Sequence, residues 1–219
     1  MKKTLRFLRS LRRHNDREWF NTHKEEYLEV KEEVERLTLE LIAAVTTVDP
    51  EAARLRVADC TYRIYRDTRF SSDKTPYKTH IGIFVNPPGG KKSMTCGYYL
   101  HLEPDNCFFA AGTVCLPSPI VKRIRQSIFD EIDEYRSIVE SPEFREWFTT
   151  VGENPVKTAP QGFPRDWEFI DYIRPRDFVT STPLSDENVV VPGLAERLLP
   201  PLRQAKRFND FINFSIETE

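Results

Sequence analysis

The sequence predicts an α+β protein, with an antiparallel sheet of about four or more strands packed against N- and C-terminal helices. Three observations point there. Apolar residues recur at helical spacing near both ends of the chain. Between them lie short aromatic and β-branched runs, separated by clusters of Pro, Gly, Asn and Asp. The spacers hold no crossover helix, so the strands run antiparallel. Strands and helices segregated in this way are the α+β pattern. Residues 1–219 read as a single domain, helical over 1–48, a strand meander over about 55–115, and helical again over 118–219.

The first helix signal is Asn15, read as an N-cap with Glu18 three residues on, as in a capping box. From there Trp19, Phe20, Tyr27, Val30, Val34, Leu37, Leu41, Ala44 and Val45 recur near helical spacing. One long helix is expected, or two with a bend near Thr22 and His23, ending before Asp49-Pro50 because the residue preceding a proline disfavours the α conformation. The runs CTYRIYRD, HIGIFV, GYYLHLE and CFFAAGTV are the expected strands. NPPGGKK and EPDN are turns, the second short enough for a hairpin. Ser118-Pro119 and Ser141-Pro142 read as helix starts, the first followed by an apolar stripe from Ile120 to Val139. DWEFIDYI reads as helical, and a last helical region begins at Pro192-Gly193 and is kinked or restarted at Pro200-Pro201.

Composition bounds the function. The chain carries 32 Lys and Arg against 34 Asp and Glu, a formal net charge of −2. That is far from the basic balance of a domain built wholesale for nucleic acid. No run approaches the roughly 18 apolar residues of a membrane span. The opening MKKTLRFLRSLRRHND is interrupted by Arg6, Arg9, Arg12 and Arg13, so it lacks the apolar core of a signal peptide and is expected to be folded and retained. The four cysteines form no C-x-x-C pair and read as free thiols in a cytoplasmic protein.

Side chains alternate across a strand. Tyr62 and Ile64, then Ile81, Ile83 and Val85, then Tyr98, Leu100 and Leu102 make one apolar face. Arg63, Tyr65, Asp67, His80, Tyr99, His101 and Glu103 fall on the other. Such a face is either a solvated side of the sheet or a site.

The densest chemistry is RIYRDTRFSSDKTPYKTH, residues 63–80, where five cations accompany two aspartates. Together with LRSLRRHNDREWFNTHKEEY upstream and GYYLHLEP downstream, this stretch resembles an uncharacterised family of bacteria and some fungi, domain-of-unknown-function family 2461. The likeness rests on Asn15, Trp19, Phe20 and Tyr27; on Arg63, Arg66, Asp67, Arg69, Phe70, Asp73, Lys74, Pro76, Tyr77 and Lys78; and on a Gly-Tyr-Tyr strand followed by a helix carrying Arg125. It implies one intracellular α+β domain and supplies no reaction. Gln161-Gly162-Phe163 is similar to a later element of the family that usually bears a lysine, so a basic contribution from that loop is not implied.

Arginine forks and lysine ammonium groups suit phosphate or carboxylate. Two aspartates do not neutralise five cations, so an anionic small molecule is the expected partner. Arg63, Arg66, Arg69, Lys74 and Lys78 would supply charge and Tyr77 and Tyr99 orientation. Asp67, Asp73 and His101 are the acid–base candidates. A cysteine nucleophile would need a histidine brought to it by the fold. No Gly-rich phosphate loop is present, no metal site is predicted, and no cofactor is named by any motif. The second reading is a nucleic-acid or protein interaction module that uses the same basic, aromatic surface.

Overall fold

The computed structural model describes residues 1–87 and 89–217. Among these it is α+β, with eleven α-helices and one five-stranded antiparallel sheet. Helices α1 (Lys2–Arg13), α2 (Arg17–Thr22), α3 (Lys24–Thr46) and α4 (Val57–Cys60) come first. Strands β1 (Ile81–Val85), β2 (Gly97–Leu102) and β3 (Cys107–Thr113) follow. Then come α5 (Ser118–Asp130), α6 (Ile132–Val139), α7 (Pro142–Arg145), β4 (Val151–Glu153), α8 (Ile170–Ile173) and β5 (Asp177–Leu184). The chain closes with α9 (Asp186–Val190), α10 (Leu194–Arg197) and α11 (Leu199–Glu217). The strand order is β1-β2-β3-β5-β4.

One face of the sheet is the core side. Ile83, Val85, Tyr98, Leu100, Leu102 and Phe109 are buried there. Helix α11 lies against β2 and β3 with Leu202, Ala205, Phe208 and Ile212 turned inward, and α5 and α6 pack on α11. Helix α3 packs on β1, and α1 covers α3 through Leu5, Phe7, Leu8 and Leu11. These apolar side chains form one contiguous cluster. α1 is thus a core helix, and no helix among the described residues is long and apolar enough to cross a membrane.

The sequence expectations hold where a clean period is present and shift where polar side chains redirect the backbone. The expected bend near Thr22 and His23 separates α2 from α3. The cap of α2 is Asp16, whose carboxylate accepts from the Trp19 amide at 2.8 Å, rather than Asn15. Asn15 instead holds both backbone groups of Tyr77, accepting from its N–H at 3.1 Å and donating to its carbonyl at 2.9 Å. The Ile120–Val139 stripe is two helices, broken at Glu131, where φ −115° and ψ 43° leave the helical region. Pro200-Pro201 sits in the first turn of α11, where proline is tolerated, so the helix restarts there. Only the end of DWEFIDYI is helical.

The run CTYRIYRD is not a strand. Asp59 and Arg56 cap a helical turn that takes in Cys60. Beyond it only single bridges form, Thr61 to Ile83 and Tyr65 to Tyr77. Residues 63–80 make an irregular loop, closed by Lys78 N–H to the Ile64 carbonyl (2.8 Å) and Arg66 N–H to the Pro76 carbonyl (2.9 Å). Its tip carries Phe70, which is 97% exposed. Strands β4 and β5 extend the sheet beyond the four expected runs.

Candidate functional site

The second face of the sheet is lined by aromatic rings. Register pairs Phe84 with Tyr99, Gly82 with His101, Tyr99 with Ala110 and His101 with Phe108. Alternation therefore brings His80, Tyr99, His101 and Glu103 together, as their spacing predicts. The His101 ring lies between His80 (centroids 4.7 Å apart) and Phe108 (4.6 Å). Its Nδ1 faces the Tyr99 hydroxyl at 2.9 Å, and its Nε2 faces Glu103 Oε2 at 3.3 Å. Glu103 also accepts from Asn106 Nδ2 at 2.8 Å and from the Thr79 hydroxyl at 3.3 Å.

A cleft of about 610 Å³ opens between this face, helix α3 and the start of the 63–80 loop. Arg63, Lys78, His80, Tyr99, Tyr62 and Lys91 are among the residues on its walls. Lys91 is pinned by the carbonyls of Ala58 and Thr61, each at 2.6 Å. The ammonium groups of Lys78 and Lys91 lie 5.4 Å and 5.7 Å from the Tyr62 ring centre, within cation–π range. Tyr62 was expected on the core side with Ile64. Because the segment is not a regular strand, its side chains do not alternate, and Tyr62 turns to the cleft.

The five cations of 63–80 separate into two groups. Arg66 is bound by the Asp73 carboxylate and the Thr75 hydroxyl. Arg69 is held by Asp67 through contacts of 2.9 Å and 2.6 Å, and Lys74 donates to the Thr68 carbonyl at 2.9 Å. These three serve the loop itself. Among the described residues no carboxylate pairs with Arg63 or Lys78. The cleft's own acid, Glu35, is 3.6 Å from Lys31.

Two of the acid–base candidates are occupied elsewhere. The Thr75 amide and then the Arg66 guanidinium pull the Asp73 carboxyl down to about 2. Arg69 lowers Asp67 in the same way. Both stay ionised in the loop's internal pairs, and neither lines the cleft, although Asp67 also feels the charge of Arg63 on the cleft wall. Tyr77 is 3% exposed and stacks on Phe20 with ring centres 4.0 Å apart, so it is a core residue and not a wall of the cleft. Among the cysteines, burial raises the Cys107 thiol to about 11 and raises Cys96 as well, and neither meets a histidine. Lys91 went unnoticed in the sequence, where it is one of two lysines after a turn and follows no period.

Burial pushes His101 below its ordinary 6.5, although Glu103 draws it upward. Burial, and then the neighbouring His101, lower His80 as well. Depressed histidines favour the fold in their neutral form, because the unfolded chain binds the extra protons more readily. Their contribution is present above about pH 6.5 and is lost as pH falls through the folded values. The melting temperature is therefore expected to drop as pH falls below about 6.5. The drop should be shallower in a His80→Gln, His101→Gln double variant, measured by differential scanning fluorimetry.

Gly82 makes room for the phenol. A Cβ built on it would lie 2.6 Å from the Tyr99 hydroxyl oxygen and 2.7 Å from its ring. Gly82→Ala is expected to displace Tyr99 and break its bond to His101, for about 1 kcal/mol of stability. The imidazole resonances of His101 in nuclear magnetic resonance spectra report that break.

Comparison with known proteins adds a family and nothing closer. The family model described as "Conserved hypothetical protein (DUF2461)" matches residues 3–211. No curated protein and no solved structure matches the chain.

Proposed function

Since this chain belongs to the family of conserved hypothetical proteins DUF2461, whose description carries no reaction, we propose a function from its cleft: binding of an anionic small molecule, phosphorylated or carboxylated. The observation that carries the reading is the pair Arg63 and Lys78, both on the wall of a cavity of about 610 Å³ and neither joined to a carboxylate among the described residues. Burial, and then Arg63, already pull the Lys78 ammonium below its ordinary value. An anion between the two would remove that repulsion and restore the charged form. The volume lies in the usual range for small-molecule sites. Lys91, Tyr62 and Tyr99 supply a third cation and flat surfaces. The contiguous core supports reading residues 1–219 as one domain, and the four free cysteines support a reducing, cytoplasmic setting.

The test is thermal stabilisation by a panel of phosphorylated and carboxylated metabolites. A compound at about 100 times its Kd adds roughly 2.7 kcal/mol. For a chain of this length that is a rise on the order of 5–10 °C. Lys78→Ala and Arg63→Ala are expected to abolish the rise, and Arg69→Ala, whose partner is Asp67, to keep it. If no compound raises the melting temperature, or if both cleft variants respond like the native chain, the reading fails. Binding of single-stranded nucleic acid that weakens steeply with salt would favour the interaction-module reading instead.

A further inference from the structure

The cleft holds cations at one side and, at the other, a hydroxyl backed by a histidine and a carboxylate. Tyr99 and His101 stand on alternate residues of β2 and project from the same face, and Glu103, just past the strand's end, meets His101 there. Tyr99 is on the cleft wall. His101, 9% exposed, sits behind it, clamped between the rings of His80 and Phe108. Glu103 lies beyond, tethered by Asn106 and Thr79. The distances are 2.9 Å from the Tyr99 hydroxyl to Nδ1 and 3.3 Å from Nε2 to the carboxylate.

The chain of bonds has one consistent direction. The Glu103 carboxyl is held low: burial raises it, but the bonds from Asn106 and His101 outweigh burial. An ionised carboxylate only accepts, so Nε2 of His101 carries the proton. Nδ1 of a neutral imidazole is then the acceptor, and it faces the phenol. Burial holds the Tyr99 phenol up at about 12, so it keeps its proton and donates it to Nδ1. Hydroxyl, imidazole and carboxylate in this order form the arrangement in which a histidine accepts a proton through a hydroxyl.

We propose that Tyr99 is a catalytic proton-exchanging group, with His101 and Glu103 positioned to take up its proton, and that the protein performs acid–base chemistry on the anionic compound held by Arg63 and Lys78. This rests on the anion-binding reading above. In the step, a proton leaves the substrate for the Tyr99 oxygen while the phenolic proton passes to Nδ1 of His101. The electron pair of the broken bond stays on the substrate, whose new negative charge faces the cleft cations. His101 becomes an imidazolium paired with Glu103, and Tyr99 stays neutral. The reverse path returns one proton. No electron changes hands, and no co-reactant is consumed.

The test is deuterium wash-in. The native protein is incubated in deuterium oxide with each phosphorylated or carboxylated compound from the stabilisation panel, and loss of carbon-bound proton signal is followed by nuclear magnetic resonance. Exchange is expected in at least one bound compound. It should fall at least ten-fold in Tyr99→Phe and His101→Gln, and stay unchanged in Arg69→Ala. Glu103→Gln keeps an acceptor for Nε2 but removes the charge that raises His101. The groups facing His101 are Tyr99, Glu103 and His80, with Lys78 behind His80. Because the base form of His101 is required, the acid limb of the exchange–pH profile is expected to move to lower pH in that variant. A role limited to holding the fold together would not move it. Compounds that bind without exchange, or exchange that survives Tyr99→Phe, overturn the relay and leave the binding reading standing. No stabilisation by any compound overturns both.

Discussion

Replacing Gly112 by alanine is expected to lower the melting temperature by on the order of 10 °C. Gly112 lies near the end of β3 with φ 121°, a conformation that residues with a side chain avoid. A Cβ there would sit 2.1 Å from the Phe178 carbonyl oxygen and 2.8 Å from the Val179 Cα. Both obstacles are backbone of β5, so no side chain can swing aside. Strain in φ costs about 1–3 kcal/mol, and forced displacement in a packed sheet adds a similar amount, giving about 4 kcal/mol together. Gly162 is the control. Its φ is also positive, at 95°, but nothing lies within 4 Å of its added Cβ. Gly162→Ala should lose only about 1 kcal/mol, the strain alone. Equal melting temperatures for the two variants would refute the assignment of the effect to the β3–β5 contact.

Asn15→Ala is expected to remove about 2–3 kcal/mol, through groups far away in sequence. The Asn15 amide satisfies the N–H and the carbonyl of Tyr77 together. Truncation leaves both part-buried backbone groups without that partner, and unmade bonds of this kind cost more than made ones gain. Tyr77 is also the ring that stacks on Phe20, so the change loosens the joint between α2 and the returning arm of the 63–80 loop. Urea denaturation measures the loss. Hydrogen exchange at the Lys78 and Arg66 amides, which close that loop, should accelerate with it. Asn15→Asp keeps the acceptor and loses the donor, so its midpoint belongs between those of the native chain and Asn15→Ala. A variant in which the Lys78 amide exchanges at the native rate would contradict the account.

The strands β1 and β2 were legible because a period of two survives in Ile81, Ile83 and Val85 and in Tyr98, Leu100 and Leu102, and β3 because the apolar, aromatic run CFFAAGTV follows a hairpin-length turn. The same period disclosed the polar face, and with it Tyr99, His101 and Glu103. It failed at CTYRIYRD, where the Arg56–Asp59 cap turns the backbone into a helical turn that no alternation can register. Strand β5, with its Phe178-Val179-Thr180, had the residues of a strand but a proline at 183 and helical signals on both sides. Strand β4 has three residues, too few to show any period. The cations of 63–80 were visible as a cluster, but their division was not. Which guanidinium meets Asp67, which meets Asp73, and which is left for the cleft is decided by the irregular course of the loop. The same limit put Tyr77 among the ligand groups, when it belongs to the Phe20 stack.

Two relay residues, Tyr99 and His101, sit at alternate positions of β2, and the third, Glu103, follows two residues on at the strand's exit, which constrains how the gene can drift. Their mutual separation is written into the covalent repeat of one β-strand, about 6.8 Å for every second residue. Helices can slide and loops can lengthen without altering it. Gain or loss of one codon inside β2 would be another matter. Every residue beyond that point would exchange faces, sending the imidazole into the hydrocarbon interior and a leucine to the cleft. Lineages of this protein should therefore tolerate length changes at the 66–75 tip, and single-residue length changes within 97–103 should be purged from them.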